Sequence, residues 1–157
     1  WIGPGATAAD PRELLVRVDV PAPAPATGSA YVRLEYRRQM EIAVVGVTAV
    51  VRLDAGSVSD ARVAITALAP TIRRVWEAEA ALIGSDGGDE AIAEAARAAA
   101  SGSSPITDVR SSAEYRSAMA NVIARRAIVV ALARARGEHV PIPASAATYA
   151  SVGGTST

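Results

Sequence analysis

Three arginines crowd the stretch SAYVRLEYRR, and Arg33, Arg37 and Arg38 are residues whose type and spacing could do chemistry. Arg33 and Arg37 share the parity of an extended strand, so both guanidinium groups could meet a phosphate, a carboxylate or an electron-rich ring from one face. The same residues also suit a solvated strand edge that charge keeps from aggregating, and taken alone they favour that plainer role. Glu79 falls on the apolar stripe of a helical pattern, between Trp76 and Leu82. A carboxylate there needs a partner, and a structural ion pair with an arginine is expected ahead of catalysis. Asp108 and Arg110, in PITDVRSSAEYR, come just before the last helical pattern. A carboxylate there favours a helix amino terminus and can clamp a neighbouring strand, so these two read as architecture.

Other chemistries are poorly supplied. There is no cysteine, which removes disulfides, thiolate nucleophiles, and cysteine ligation of zinc or iron–sulfur clusters from this chain. His139 is the sole histidine and stands beside Pro141 and Pro143, so neither a Ser-His-Asp triad nor a histidine metal site has the parts it needs. Gly3-Pro4-Gly5 is too short for a dinucleotide loop, and Gly87-Gly88 reads as a helix-to-helix turn instead of a phosphate cradle. Arg116, Arg125, Arg126, Arg134 and Arg136 are spread round the final helix without interleaved aromatics, which reads as a solvated face and not a nucleic-acid surface. The 16 basic and 16 acidic residues cancel, so no overall field draws the chain to nucleic acid or an anionic membrane. No apolar run is long enough to span a bilayer, because Arg52 ends the longest one, and the cytoplasm is the expected compartment.

The elements that would position these residues follow from hydrophobic periodicity. Residues 13–20 are rich in β-branched side chains and stop at Pro21, which predicts a strand, and PAPAPATG then forms a stiff connector. Strands are expected at about 30–36, 42–53 and 58–68, and the Asp54-Ala55-Gly56-Ser57 turn predicts an antiparallel hairpin. From Pro70 the period lengthens, predicting a helix capped by Thr71 and ending at Gly84. An alanine-rich helix over 90–100 follows. Ser111 and Glu114 then have the spacing of a capping box, with Tyr115, Met119, Val122, Ile123, Ala127 and Val130 along one face of the last helix. With no Phe, the interior must be built of small side chains, leaving Trp1, Trp76 and four tyrosines as the large anchors. Strands first and helices after predict an α+β fold, an antiparallel sheet of three to four strands with helices packed on one face.

Taken in order, GPGATAADPRELLVRVDVP, SAYVRLEYRRQMEIAVVGVTAVV, APTIRRVWEAEAALIG and PITDVRSSAEYRSAMANVIARRA resemble one domain of a known family. It is the carboxy-terminal domain of the flavoprotein (medium) subunit of the xanthine dehydrogenase and carbon monoxide dehydrogenase family of molybdenum hydroxylases. The likeness covers residues 2 to about 135. It implies residues 1–28 as the end of a preceding FAD-binding domain and its connector and 29–137 as the α+β domain, while the Pro-, Ala-, Ser-, Thr- and Gly-rich composition after Gly137 marks 138–157 as an extended or disordered tail. The start at Trp1 fits a piece of a longer chain.

The resemblance also implies an electron-transfer role. FAD would pass electrons from 2Fe-2S clusters on an iron–sulfur subunit to an acceptor, while a third subunit carries the molybdenum cofactor. Leu15 matches a leucine packed near the isoalloxazine ring, and Arg33 matches a basic residue, usually lysine, that approaches it. The glycine-rich segments that hold the FAD pyrophosphate have no counterpart here, so the fragment alone should bind FAD weakly or not at all. TALAP at 66–70 stands where relatives often carry paired glycines. The competing readings are a non-enzymatic α+β protein-interaction module and a small-molecule-binding domain that works alone.

Overall fold

The computed structural model describes residues 1–37 and 41–141, so Arg38 and residues 142–157 of the expected tail lie outside the described residues. Strands β1 (Thr27–Leu34), β2 (Val45–Asp54), β3 (Ser57–Thr66) and β4 (Arg73–Arg74) form one antiparallel sheet in chain order. Helix α1 (Trp76–Leu82) packs on β3, α3 (Ala113–Ala135) packs on β1 and β2, and α2 (Asp89–Ser101) lies against α1 and α3. This is the expected α+β architecture.

Alternation explains the sheet. Gly28, Ala30 and Val32 of β1 are buried with Val47, Ala49 and Val51 of β2 and Ala61, Val63 and Ile65 of β3. Ser29, Tyr31 and Arg33 turn to the other face. The β2–β3 hairpin closes through Ala55 and Gly56, both with positive φ (48° and 85°), as a two-residue primed turn requires. One interior glycine carries a separate demand: a methyl group at Gly28 would lie 2.0 Å from the Ala131 carbonyl oxygen and 2.4 Å from the Ala135 nitrogen. Helix α3 therefore rests on the bare backbone of β1, an approach that only glycine permits.

Five expectations need correction. Residues 13–20 form no strand; Leu14, Leu15, Val16, Val18 and Val20 stand exposed on an extended arm, because no strand among the described residues pairs with it. The helix expected from Thr71 starts only after Val75, since Arg73–Arg74 pairs with β3 and the Val75 N–H donates to the Val63 carbonyl. Its end at Gly84 is as expected, with φ +84°. Helix α3 is capped by Ser112 and not Ser111: the Ser112 hydroxyl accepts from the Tyr115 N–H. The expected face of α3 holds only in part: Ile123, Ala127 and Val130 are buried, Tyr115 is exposed, and Arg116, Ala120, Ala124, Ala131 and Ala135 also face the core. Lastly, the tryptophans do not anchor the core: Trp1 and Trp76 are exposed, and Val, Ala, Ile and Leu fill the interior.

Candidate functional site

Arg33 lies near the end of β1 and pairs across the ladder with Gly46 of β2. Its guanidinium, about a third exposed, makes an ion pair of 2.5 Å with Glu35. Strand parity ends at Leu34, so Arg37 leaves the sheet and pairs instead with Glu41 at 3.1 Å. The expected two-arginine face is therefore not built on one strand. Tyr31 shares the outward face with Arg33, and its ring leans over Gly46. A methyl group at Gly46 would lie 2.8 Å from the Tyr31 hydroxyl and 2.5 Å from the Thr66 methyl. Burial pushes the Tyr31 phenol above its ordinary pKa, while the Arg33 charge opposes that shift.

Leu15 stands on the exposed arm, 80% accessible. Between Leu14 and Pro25 the one side-chain hydrogen bond among the described residues joins Arg17 to Asp19, so the arm is not fastened to the sheet by side chains. At Ala26, whose carbonyl accepts from the Leu53 N–H, the backbone joins the sheet. Arg33 and Leu15 thus offer a cation on the sheet's outward face and an uncovered apolar surface on the arm leading into it. No contact among the described residues joins the two side chains. Gly87-Gly88 offers no cradle for a diphosphate, because a methyl group at Gly87 would meet the Leu132 side chain at 2.7 Å; the pair links α1 to α2, as expected.

The remaining sequence candidates are structural. Glu79 is buried and accepts from Arg74 Nε at 2.9 Å, Arg74 Nη2 at 2.6 Å and the Val63 N–H at 3.0 Å. This is the expected ion pair, and the hydrogen bond to Glu79 pushes the Arg74 pKa up. Arg74 also stacks over the Trp76 ring, 3.8 Å from its centroid. Asp108 accepts from the Arg110 and Ser111 N–H groups and from Arg116 Nη2 at 2.7 Å. The Arg110 N–H bond foremost, with Arg116 adding its share, holds the Asp108 carboxyl below the ordinary carboxylate range.

Arg116 overturns its reading as a solvated residue. It is 4% exposed and donates from Nη1 to the Val44 carbonyl at 2.9 Å while Nη2 grips Asp108. The signal was hidden because its partners lie on the loop before β2 and the segment before α3, far apart in sequence. Other arginines of the last helix are engaged within the fold as well: Arg125 with Asp89, Arg134 with the carbonyls of Ser29, Val140 and Pro141, and Arg136 with the Asp86 carbonyl. His139, in an irregular exposed segment after α3, has no metal-binding companions; among the described residues no cluster of three metal-ligating side chains occurs. No helix among them is long and apolar enough to cross a membrane.

Comparison with known proteins gives a consistent set of likenesses. Residues 30–131 match the family described as CO dehydrogenase flavoprotein C-terminal domain. The carbon monoxide dehydrogenase medium chain of Hydrogenophaga pseudoflava is 36% identical over 134 residues, 85% of this chain and 46% of that one. The 6-hydroxypseudooxynicotine dehydrogenase complex subunit alpha of Paenarthrobacter nicotinovorans is 37% identical over 127 residues, 80% of this chain and 43% of that one. Among solved structures, carbon monoxide dehydrogenase from H. pseudoflava lacking the Mo-pyranopterin moiety of its molybdenum cofactor superposes with a TM-score of 0.81 at 39% identity, over 85% of this chain and 46% of that one. Quinoline 2-oxidoreductase from Pseudomonas putida 86 gives 0.65 at 27% identity, over 73% of this chain and 39% of that one. The chain thus spans a little under half the length of the curated relatives it matches.

Proposed function

The chain belongs to the CO dehydrogenase flavoprotein C-terminal domain family, and from that membership we propose that it closes the flavin site of a molybdenum hydroxylase's medium subunit. In this reading residues 1–28 end the preceding FAD-binding domain, 29–137 form the carboxy-terminal domain, and 138–157 are a tail. The rest of the FAD-binding region is the upstream part of the same parent chain. An iron–sulfur subunit with 2Fe-2S clusters and a subunit with the molybdenum cofactor are the partners. The parent enzyme is an oxidoreductase of the xanthine and carbon monoxide dehydrogenase type, placed in the cytoplasm, and the fragment alone is inactive.

Two separate observations support the reading: the Arg33 cation on the outward sheet face, and the uncovered apolar arm around Leu15 that precedes β1. Five large apolar residues between Leu14 and Val20 stay more than 70% exposed, and such a surface calls for a cover. The upstream part of the parent chain supplies it, with the flavin ring between. FAD, when bound, takes up electrons from the clusters and hands them to an acceptor. Leu15 gives the ring an apolar wall that excludes water. Arg33 contributes a fixed positive charge, which favours added negative charge on the ring and so raises its reduction potential. Where relatives of this type usually carry lysine, arginine keeps the charge and exchanges a point donor for a planar fork.

The test is to purify the complete medium subunit with whatever assembles on it, and to assay flavin, iron and molybdenum. One FAD per medium subunit, with iron and molybdenum on companion chains, is the expected result. A flavin-free assembly would return the domain to the class of protein-interaction modules.

A further inference from the structure

Tyr31 and Arg33 are two residues apart on β1, so their side chains rise from the same outward face of the sheet. Across the ladder Tyr31 faces Thr48, and Arg33 faces Gly46. The tyrosine does not stand upright above Thr48. Its outer edge lies diagonally over Gly46, where a methyl group would meet the hydroxyl at 2.8 Å and Cε2 at 3.1 Å. Gly46 thus acts as a slot, walled on its far side by the Thr66 methyl, and the slot brings the phenol end over the residue that faces Arg33.

The hydroxyl held there has no hydrogen-bond partner among the described residues, and Tyr31 is exposed. A phenol hydroxyl left unbonded by the protein is available to donate to a ligand. A phenol is protonated at neutral pH, and burial raises its pKa further, so the hydroxyl is a donor there. The Arg33 guanidinium, bound by Glu35, retains donors on the same face.

We propose that Tyr31 is a further flavin-binding residue, its hydroxyl fixed by the Gly46 slot as a hydrogen-bond donor beside the Arg33 guanidinium. The inference rests on the reading of Arg33 as a flavin contact and deepens it. The ligand chemistry it fits is the carbonyl-bearing edge of a planar heteroaromatic ring. A neutral donor beside a cation holds such an edge in one orientation better than a lone cation, because the two donors are fixed by one strand. The plainer alternative is that Tyr31 only covers the backbone at Gly46, a packing role that the ring alone fulfils.

The two roles separate in Tyr31→Phe, which keeps the ring and removes one oxygen. In the complete medium subunit, FAD binding is titrated by flavin fluorescence, and thermal melting of the flavin-free protein is followed in parallel. Expected is an approximately five- to tenfold weaker FAD affinity, the effect of one hydrogen bond, with the melting temperature unchanged. Wild-type affinity in Tyr31→Phe overturns the proposal. Arg33→Gln is measured beside it. Weakened binding in Arg33→Gln alone removes Tyr31 and leaves the Arg33 reading intact, whereas weakened binding in Tyr31→Phe alone supports Tyr31 and removes Arg33. Wild-type affinity in both variants removes both.

Discussion

Replacing Gly28 by alanine should damage this domain more than most single substitutions, and the size of the effect can be worked from the contact that α3 makes with β1. The new methyl carbon would lie 2.0 Å from the Ala131 oxygen, 2.4 Å from the Ala135 nitrogen and 2.9 Å from the Arg134 carbonyl carbon. All three are helix backbone atoms, so no side-chain rotation relieves the clash. To restore ordinary contact, α3 must retreat from β1 by roughly 1.4 Å. A gap of about 0.5–1 Å already forfeits a quarter to a half of the dispersion energy of facing atoms. Buried Ala127, Ala131 and Ala135 all sit on this helix, and short side chains cannot reach across the gap. The expected cost is about 3 kcal/mol, the upper end of typical overpacking penalties. For a 157-residue chain that lowers Tm by roughly 10 °C. The assay is thermal and urea denaturation of wild type and Gly28→Ala. Gly3→Ala, where a new methyl has nothing within 4 Å, serves as the control. A Gly28→Ala melting temperature within about 2 °C of wild type would refute the claim that α3 rests on β1 backbone.

Three further outcomes follow from the buried polar groups and the backbone. Glu79→Gln removes the charge that binds Arg74 Nε and Nη2 while keeping an acceptor for the Val63 N–H; urea unfolding should show a loss of about 1.5–3 kcal/mol. Asp108 has its folded pKa depressed by the Arg110 N–H and Arg116. Its contribution is therefore present above the unfolded value of about 3.9 and lost as pH falls through the lower folded value. Asp108→Asn should be less stable at neutral pH, with a flatter decline of the urea midpoint below about pH 4; parallel curves for the two proteins would count against this. Ala67 holds a positive φ of 62° that alanine adopts at a cost. Ala67→Gly should raise stability by roughly 0.5–1 kcal/mol despite the greater freedom of glycine in the unfolded chain, read as a small rise in Tm.

The parts of this fold governed by local periodicity were legible in the sequence. The alternation of Val45, Val47, Ala49 and Val51 set the face of β2, the Ala55-Gly56 turn set the hairpin, and Gly84 ended α1. Long-range partners hid the rest. Thr71 has cap chemistry, but the free edge of β3 draws Arg73 and Arg74 into a fourth strand and delays the helix. Ser111 and Ser112 are equal as caps by residue type; Asp108 binds the Ser111 N–H and leaves the cap to Ser112. Arg116 looked like a surface cation because Val44, to whose carbonyl it donates, is 72 residues away. The arm over 13–20 has strand composition, yet a strand is a pairing and not a property of one segment. Of the proposed site, Arg33 was marked by residue type and strand parity and Leu15 by resemblance, whereas Tyr31 was visible only as an alternating residue whose relation to Gly46 needs the register of β1 and β2.

The central claim is that Arg33 faces the flavin of a medium subunit, and the most direct measurement is the flavin reduction potential in the assembled enzyme with Arg33 intact and with Arg33→Gln. Loss of a fixed cation near the ring should lower the potential by on the order of 30 mV or more, about a tenfold change in a two-electron equilibrium, with the fold and subunit composition unchanged. Identical potentials in the two proteins would contradict the placement of Arg33 and the flavin-closing role built on it.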